Sequence, residues 1–127
     1  DVCMEDCVFE IHEMSPEEGY SVMPGILSIH KPPISVFAVN DETAFGVIRY
    51  CGEQNLRIPQ DVAVVGFGDI QIIDTLSIPL TTVRIPAVEL GEKVATLTID
   101  SVETHDPPSH ERVTLPVELV VRGSTRF

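Results

Sequence analysis

Between Pro59 and Pro86 the apolar positions fall in two short runs separated by a polar tip. Val62-Ala63-Val64-Val65-Gly66 is continuously apolar, the pattern of a parallel strand covered on both faces, and it gives way to Gly68 and Asp69. The connection that follows is too long for a tight hairpin, and Leu80 to Arg84 supplies the next strand. Upstream, Ser35 to Val39 (SVFAV) repeats the near-continuous pattern and predicts a second strand of the same kind. Asn40-Asp41 turns the chain out of that strand and offers a helix cap. Beyond it Ala44, Val47, Ile48 and Cys51 recur at i, i+3, i+4 and i+7, one apolar stripe of a helix. Phe45 sits about 100° round from Ala44, at the edge of that stripe. Gly52 to Pro59 is the return turn.

The ends read more loosely. Val8 to His12 predicts a short strand. Ser15 predicts a helix cap, with Pro16 at the first helical position and Glu18 closing a capping box. That helix should run to about Ser28 and kink at Pro24, where a backbone donor is lost; Lys31-Pro32-Pro33 then ends the unit. Pro86 to about Val102 predicts a helix with Ala87, Leu90, Val94 and Leu97 on one face. Residues 104–111 form a polar, proline-containing linker, Val113 to Val121 is rich in β-formers but interrupted at Pro116, and Arg122 to Phe127 is a polar tail. Alternating strands and helices at this spacing give an α/β fold: a parallel sheet flanked by helices, with right-handed crossovers. Ligands of such sheets sit beyond the carboxyl ends of the strands. Gly68 and Asp69 are therefore a candidate binding tip, with a solvated loop as the bland alternative.

Composition narrows the function. The 127 residues suffice for one domain, and 43% of them are hydrophobic. Eight Lys and Arg against 20 Asp and Glu give a net charge of −12, so these residues build no phosphate-neutralising surface. No apolar run approaches the ~20 residues of a membrane span. Asp1 to Glu10 lacks the basic and apolar regions of a signal peptide, and a chain opening on Asp1 rather than Met is expected to begin upstream. Cys3, Cys7 and His12 lack the paired spacing of a zinc site, so no metal is expected; Cys51 belongs to the helix stripe. Free thiols suit a reducing, cytoplasmic compartment. His12, His30, His105 and His110 have no evident nucleophile beside them, and no Gly-rich phosphate loop occurs. Neither catalysis nor a cofactor is expected.

Five segments then carry a resemblance: SVFAVNDETAFG (Ser35–Gly46), IPQDVAVVGFGD (Ile58–Asp69), PLTTVRIP (Pro79–Pro86), Glu89-Leu90-Gly91, and LPVELVVRGST (Leu115–Thr125). In this order, with SPEEGY (Ser15–Tyr20) upstream, they resemble the effector-binding core of the LacI/GalR transcription regulators over roughly residues 13–127. That family resembles the type I periplasmic binding proteins: two α/β lobes joined by crossing strands, a small molecule held in the cleft, and an amino-terminal helix-turn-helix on DNA. The resemblance implies that residues 1–78 belong to the second lobe. It makes residues 79–104 a crossover segment of the first lobe, and residues 105–127 the return. No counterpart of the helix-turn-helix, the hinge or most of the first lobe is present, so the Ala87–Leu97 stripe should be exposed.

Site residues follow position by position. Asn40 matches a position that hydrogen-bonds the effector, and an amide suits sugar hydroxyls or a nucleobase edge. Asp41 reads first as a helix cap and second as a ligand contact. Met14 stands where the family often places a stacking aromatic, so it either touches ligand or fills the core. Gly68 replaces the aspartate of the usual G-F-D-D; either Asp69 substitutes from the next position, a water fills the gap, or the effector differs in kind. Phe67 is expected to pack under the cleft floor. Phe45 and Leu76 match positions that pair subunits into a homodimer, with core packing the alternative for Phe45. The resemblance thus implies the sensor of a transcription regulator, meeting a small-molecule effector of the sugar or nucleobase class. It would reach DNA only through a region outside this chain, and no membrane. A solute-binding protein for sugar transport is the second reading.

Overall fold

The computed structural model describes residues 7–71, 77–104 and 112–126. They fall into two units, Asp1–Arg84 with Leu119–Phe127, and Ile85–Glu118. The first unit is built on a sheet of order β1-β2-β3-β4, where β1 is Ile34–Phe37, β2 Val62–Gly68, β3 Thr81–Arg84 and β4 Glu118–Val120. β1 and β2 run parallel with Ile34 opposite Val62 and Phe37 opposite Val65, and β2 and β3 run parallel from Val65–Thr81 to Gly68–Arg84. Their carboxyl ends therefore lie on the same side.

One face of the sheet carries the core. Val62 and Val64 of β2 are fully buried and pack with Met23, Ile26, Leu80 and the Ala44–Val47–Ile48–Cys51 stripe of helix α3 (Asp41–Glu53). Burial, outweighing a backbone hydrogen bond, pushes the Cys51 thiol up to about 11, so it is an inert core group. The other face is covered at Ala63, which is 7% exposed, and more open at Phe37 and Phe67. Residues in register share a face, and Phe37 is 65% exposed while its neighbour Phe67 is 36% exposed. SVFAV is thus covered on one face only: β1 is an edge strand alternating half-buried and exposed.

The helix predicted from Ser15 to Ser28 is two helices, α1 (Pro16–Ser21) and α2 (Met23–Ile29). Pro24 lies in the first turn of α2, where its missing N–H has no helical partner to lose. Val22, between α1 and α2, keeps right-handed helical backbone (φ −75°, ψ −23°), and Ile26 still donates to its carbonyl at 3.2 Å, so the helical path runs on through the interruption beside Pro24. Ser15 caps α1 as expected, accepting from the Glu18 amide at 3.3 Å. Glu18 reaches back beyond the cap to accept from the His12 amide at 3.0 Å. Val8 to His12 forms no strand: Phe9 packs on the core and meets His30 edge-on at 6.3 Å, but no ladder pairs the segment.

The carboxyl end is better ordered than a polar tail. Ser124 is fully buried; its hydroxyl donates to the Val64 carbonyl at 2.6 Å and accepts from the Thr81 amide at 2.8 Å. Of Val113 to Val121 only Glu118–Val120 is strand. The second unit holds α4 (Ala87–Thr104), whose Leu90 and Val94 are exposed, beside a shallow groove shared with Val113, Leu115 and Val117. Residues 105–111 of the linker lie outside the described residues.

Candidate functional site

The loops after β1 and β2 meet at the carboxyl end of the sheet. Asn40 has an extended backbone, and its Oδ1 accepts from the Thr43 amide at 2.8 Å. It is the cap of α3, and Asp41 is not. Asp41 instead turns inward and is 1% exposed. Its Oδ1 accepts from the Thr82 hydroxyl at 2.6 Å, and its Oδ2 accepts from the Ile70 amide at 3.0 Å. One carboxylate thus ties the loop after β1 to the loop after β2 and to β3. Gly66 makes room for it, since a Cβ there would stand 2.3 Å from Asp41 Oδ1.

The tip itself is bent. Gly68 has φ +129°, and Asp69 follows at φ 57°, a left-handed conformation that aspartate tolerates better than most residues. The turn aims the Asp69 carboxylate at two arginines. Arg84 Nε donates to Oδ2 at 2.6 Å, and Arg122 Nη2 donates to Oδ1 at 2.7 Å. Burial pushes the Asp69 carboxyl up, but the hydrogen bonds from Arg122 and Arg84 outweigh it and hold the group below the usual carboxylate range. Asn40 Nδ2 donates to the Met14 carbonyl at 3.3 Å, while the Met14 side chain is 62% exposed.

Known proteins agree with this frame. The periplasmic binding protein-like domain matches residues 5–125. The lactose operon repressor of Rhizobium radiobacter is 37% identical over 110 residues, which cover 87% of this chain and 96% of that protein. The chain belongs to the LacI/GalR family. The HTH-type transcriptional repressor CytR of Escherichia coli K12 is 33% identical over 87% of this chain, yet the match spans only 32% of CytR. A LacI family regulator of Enterococcus faecalis, solved with bound ribose, superposes with TM-score 0.80 at 36% identity, covering 89% of this chain and 41% of that one.

In this LacI/GalR chain the structure gathers Met14, Asn40, Asp41, Gly68 and Asp69 at one end of the sheet, but not as equals. Both carboxylates are taken up internally: Asp69, the residue next to the acid missing at Gly68, is held by Arg84 and Arg122. Asp41 is neither cap nor free ligand group. Phe45 is half-buried against the core cluster, and Leu76 lies outside the described residues. Three residues of the site escaped the sequence reading: Thr82, Arg84 and Arg122. Their signal was present as polar groups in PLTTVRIP and LVVRGST, strands otherwise apolar. Among the described residues no cluster of His, Cys, Asp or Glu could hold a metal, and no helix is long and apolar enough to cross a membrane.

The arginine clamp predicts an acid-side response. A carboxyl depressed in the folded state stabilises fully above its unfolded value, about 3.9, and loses that contribution as pH falls through the folded value below it. The thermal midpoint should therefore drop on acidification below about pH 4, and Asp69→Asn should flatten that part of the curve. Asp61 adds to the same limb, since hydrogen bonds from Arg57 lower its pKa to about 2. A curve for Asp69→Asn parallel to that of the parent would remove the clamp from the account.

Proposed function

We propose that this chain is the effector-sensing part of a DNA-binding transcriptional repressor and that its effector is a small sugar-like molecule. The observation that carries the reading is the Asp41–Ile70 bond, which joins the Asn40 turn and the Gly68–Asp69 tip into one continuous wall. An amide at the strand end, beside a glycine that keeps backbone approachable, suits a neutral polyol better than a cation. Ribose in a related regulator supports the class. The net charge of −12 leaves operator contact to a region outside this chain. The working form is a cytoplasmic homodimer, whose two-fold symmetry would match paired half-sites on DNA, with Phe45 and Leu76 at the pairing surface. The chain would cross into a first lobe within residues 79–104, after the Thr81–Arg84 strand, and return within residues 105–127. Ligand would act by favouring one lobe arrangement. The protein has no catalytic role in this scheme.

A thermal-shift series with ribose, lactose and adenine tests it. A ligand present at about 100 times its dissociation constant adds about 2.7 kcal/mol, so a binder should raise the midpoint by several degrees. Asn40→Ala should cost about 1 kcal/mol through the lost cap and, separately, erase the ligand shift. A shift surviving in Asn40→Ala would remove Asn40 from the site. Coding sequence upstream without a helix-turn-helix would favour the transport-type solute-binding protein.

A further inference from the structure

The chain leaves the first unit after Arg84 and returns to it at Leu119. The two side chains that grip Asp69 belong to these crossings: Arg84 ends the outgoing strand, and Arg122 follows the incoming one. Arg122 is bound more widely. Its Nη1 donates to the Leu80 carbonyl at 2.8 Å, and its amide donates to Thr81 Oγ1 at 2.8 Å. The Asp69 side chain is only 9% exposed and both bonds are charge-assisted; the Arg122 bond is the sheltered one, Arg122 being 19% exposed against 48% for Arg84. We propose that Asp69 is a positioning residue that locks the 68–70 tip to both crossing strands, so that tip and crossings respond to a bound effector as one body.

The physical reason lies in how many ways the tip is held. Asp41 fixes the Ile70 amide to α3 and β3. Asp69 fixes the preceding residue to the two strands that lead to and from the second unit. Displacing the tip must then either break these two ion pairs or move both strands. Breaking the Arg122 bond is the costlier course, because Asp69 and Arg122 would both be left largely buried without it. The family's usual acid at Gly68 would make a direct grip on ligand; here the adjoining acid does structural work. The proposal rests on the reading above that the tip lines the effector pocket.

Amide hydrogen exchange on the 127-residue chain, without ligand, tests the lock first. In Asp69→Asn, amides of residues 68–71, 84–85 and 119–122 should exchange faster together, by about 10-fold or more, the loss expected for one charge-assisted bond. Those of Val62 to Val65 should change little. Arg84→Gln, at a half-exposed side chain that leaves the core intact, should give the same pattern more weakly. Asp61→Asn, in the separate Arg57 pair, should not. Acceleration confined to 68–71, or spread equally over the first unit, would overturn the lock. Ribose added to the parent chain should protect the tip and both crossings, and in Asp69→Asn the tip alone; protection of the crossings surviving in Asp69→Asn would also overturn it. If ribose protects nothing in the parent, the sugar reading fails, while the lock is decided by the ligand-free pattern.

Discussion

Gly46→Ala should destabilise the protein by about 3 kcal/mol or more, at the upper end of what overpacking costs. A Cβ at Gly46 would stand 1.9 Å from the Pro16 carbonyl oxygen and 2.6 Å from the Tyr20 amide nitrogen. Both obstacles are main chain of α1, which cannot rotate aside as a side chain would. Gly19 answers from α1, where a Cβ would come within 2.0 Å of the Thr43 carbonyl oxygen. The two helices therefore touch backbone to backbone, and one methyl has to push them apart. Domains of this kind are stable by about 5–15 kcal/mol, so the loss is a large fraction of the total. Denaturant titration should show it as a lower midpoint, and heating as a fall of about 10 °C. The site should suffer as well, because α1 holds Met14 where its carbonyl accepts from Asn40.

Gly52, one turn and a half further along α3, is the internal control. Nothing lies within 4 Å of a Cβ there. Gly52→Ala removes only the entropic cost of glycine in a helix, and should stabilise by about 0.5–1 kcal/mol. Equal midpoints for the two alanine variants would sink the close-contact account of α1 and α3.

The sequence carried the α/β order because period-2 and period-3.6 signals are local. The Ala44, Val47, Ile48, Cys51 stripe and the Val62–Val64 run needed no tertiary information. What it could not carry was which faces are covered. Ser35–Val39 has the composition of a strand enclosed on both sides, yet Phe37 stands 65% exposed. Asn40, Asp41, Gly68 and Asp69 do lie at the ends of β1 and β2, but what their side chains touch depends on partners distant in sequence. Nothing near Asp41 foretells Thr82, and nothing near Asp69 foretells Arg122. Such roles become legible only when the sheet brings the TTVR and RGST segments beside the tip.

Asp41→Ala is expected to be the most damaging change at the site, and comparison with Asp41→Asn separates its causes. Alanine strands the Thr82 hydroxyl, which is fully buried, and the Ile70 amide. Each unmatched group costs about 1–3 kcal/mol, so a loss near 3 kcal/mol is expected in sum. Asparagine fills the same volume. Its Oδ1 can still accept from Ile70, and its Nδ2 can donate to Thr82, because a hydroxyl accepts as readily as it donates. Both links then survive as neutral bonds, about half as strong as charge-assisted ones, and the cost should be nearer 1 kcal/mol. Ligand-induced stabilisation should follow the same order, strongest in the parent, weaker in Asp41→Asn and lost in Asp41→Ala, since the tip keeps its tether in the first two. If asparagine were as harmful as alanine, charge rather than tethering would be what the tip requires. The Asn40 turn and the Gly68 tip would then be two separate loops that happen to be neighbours.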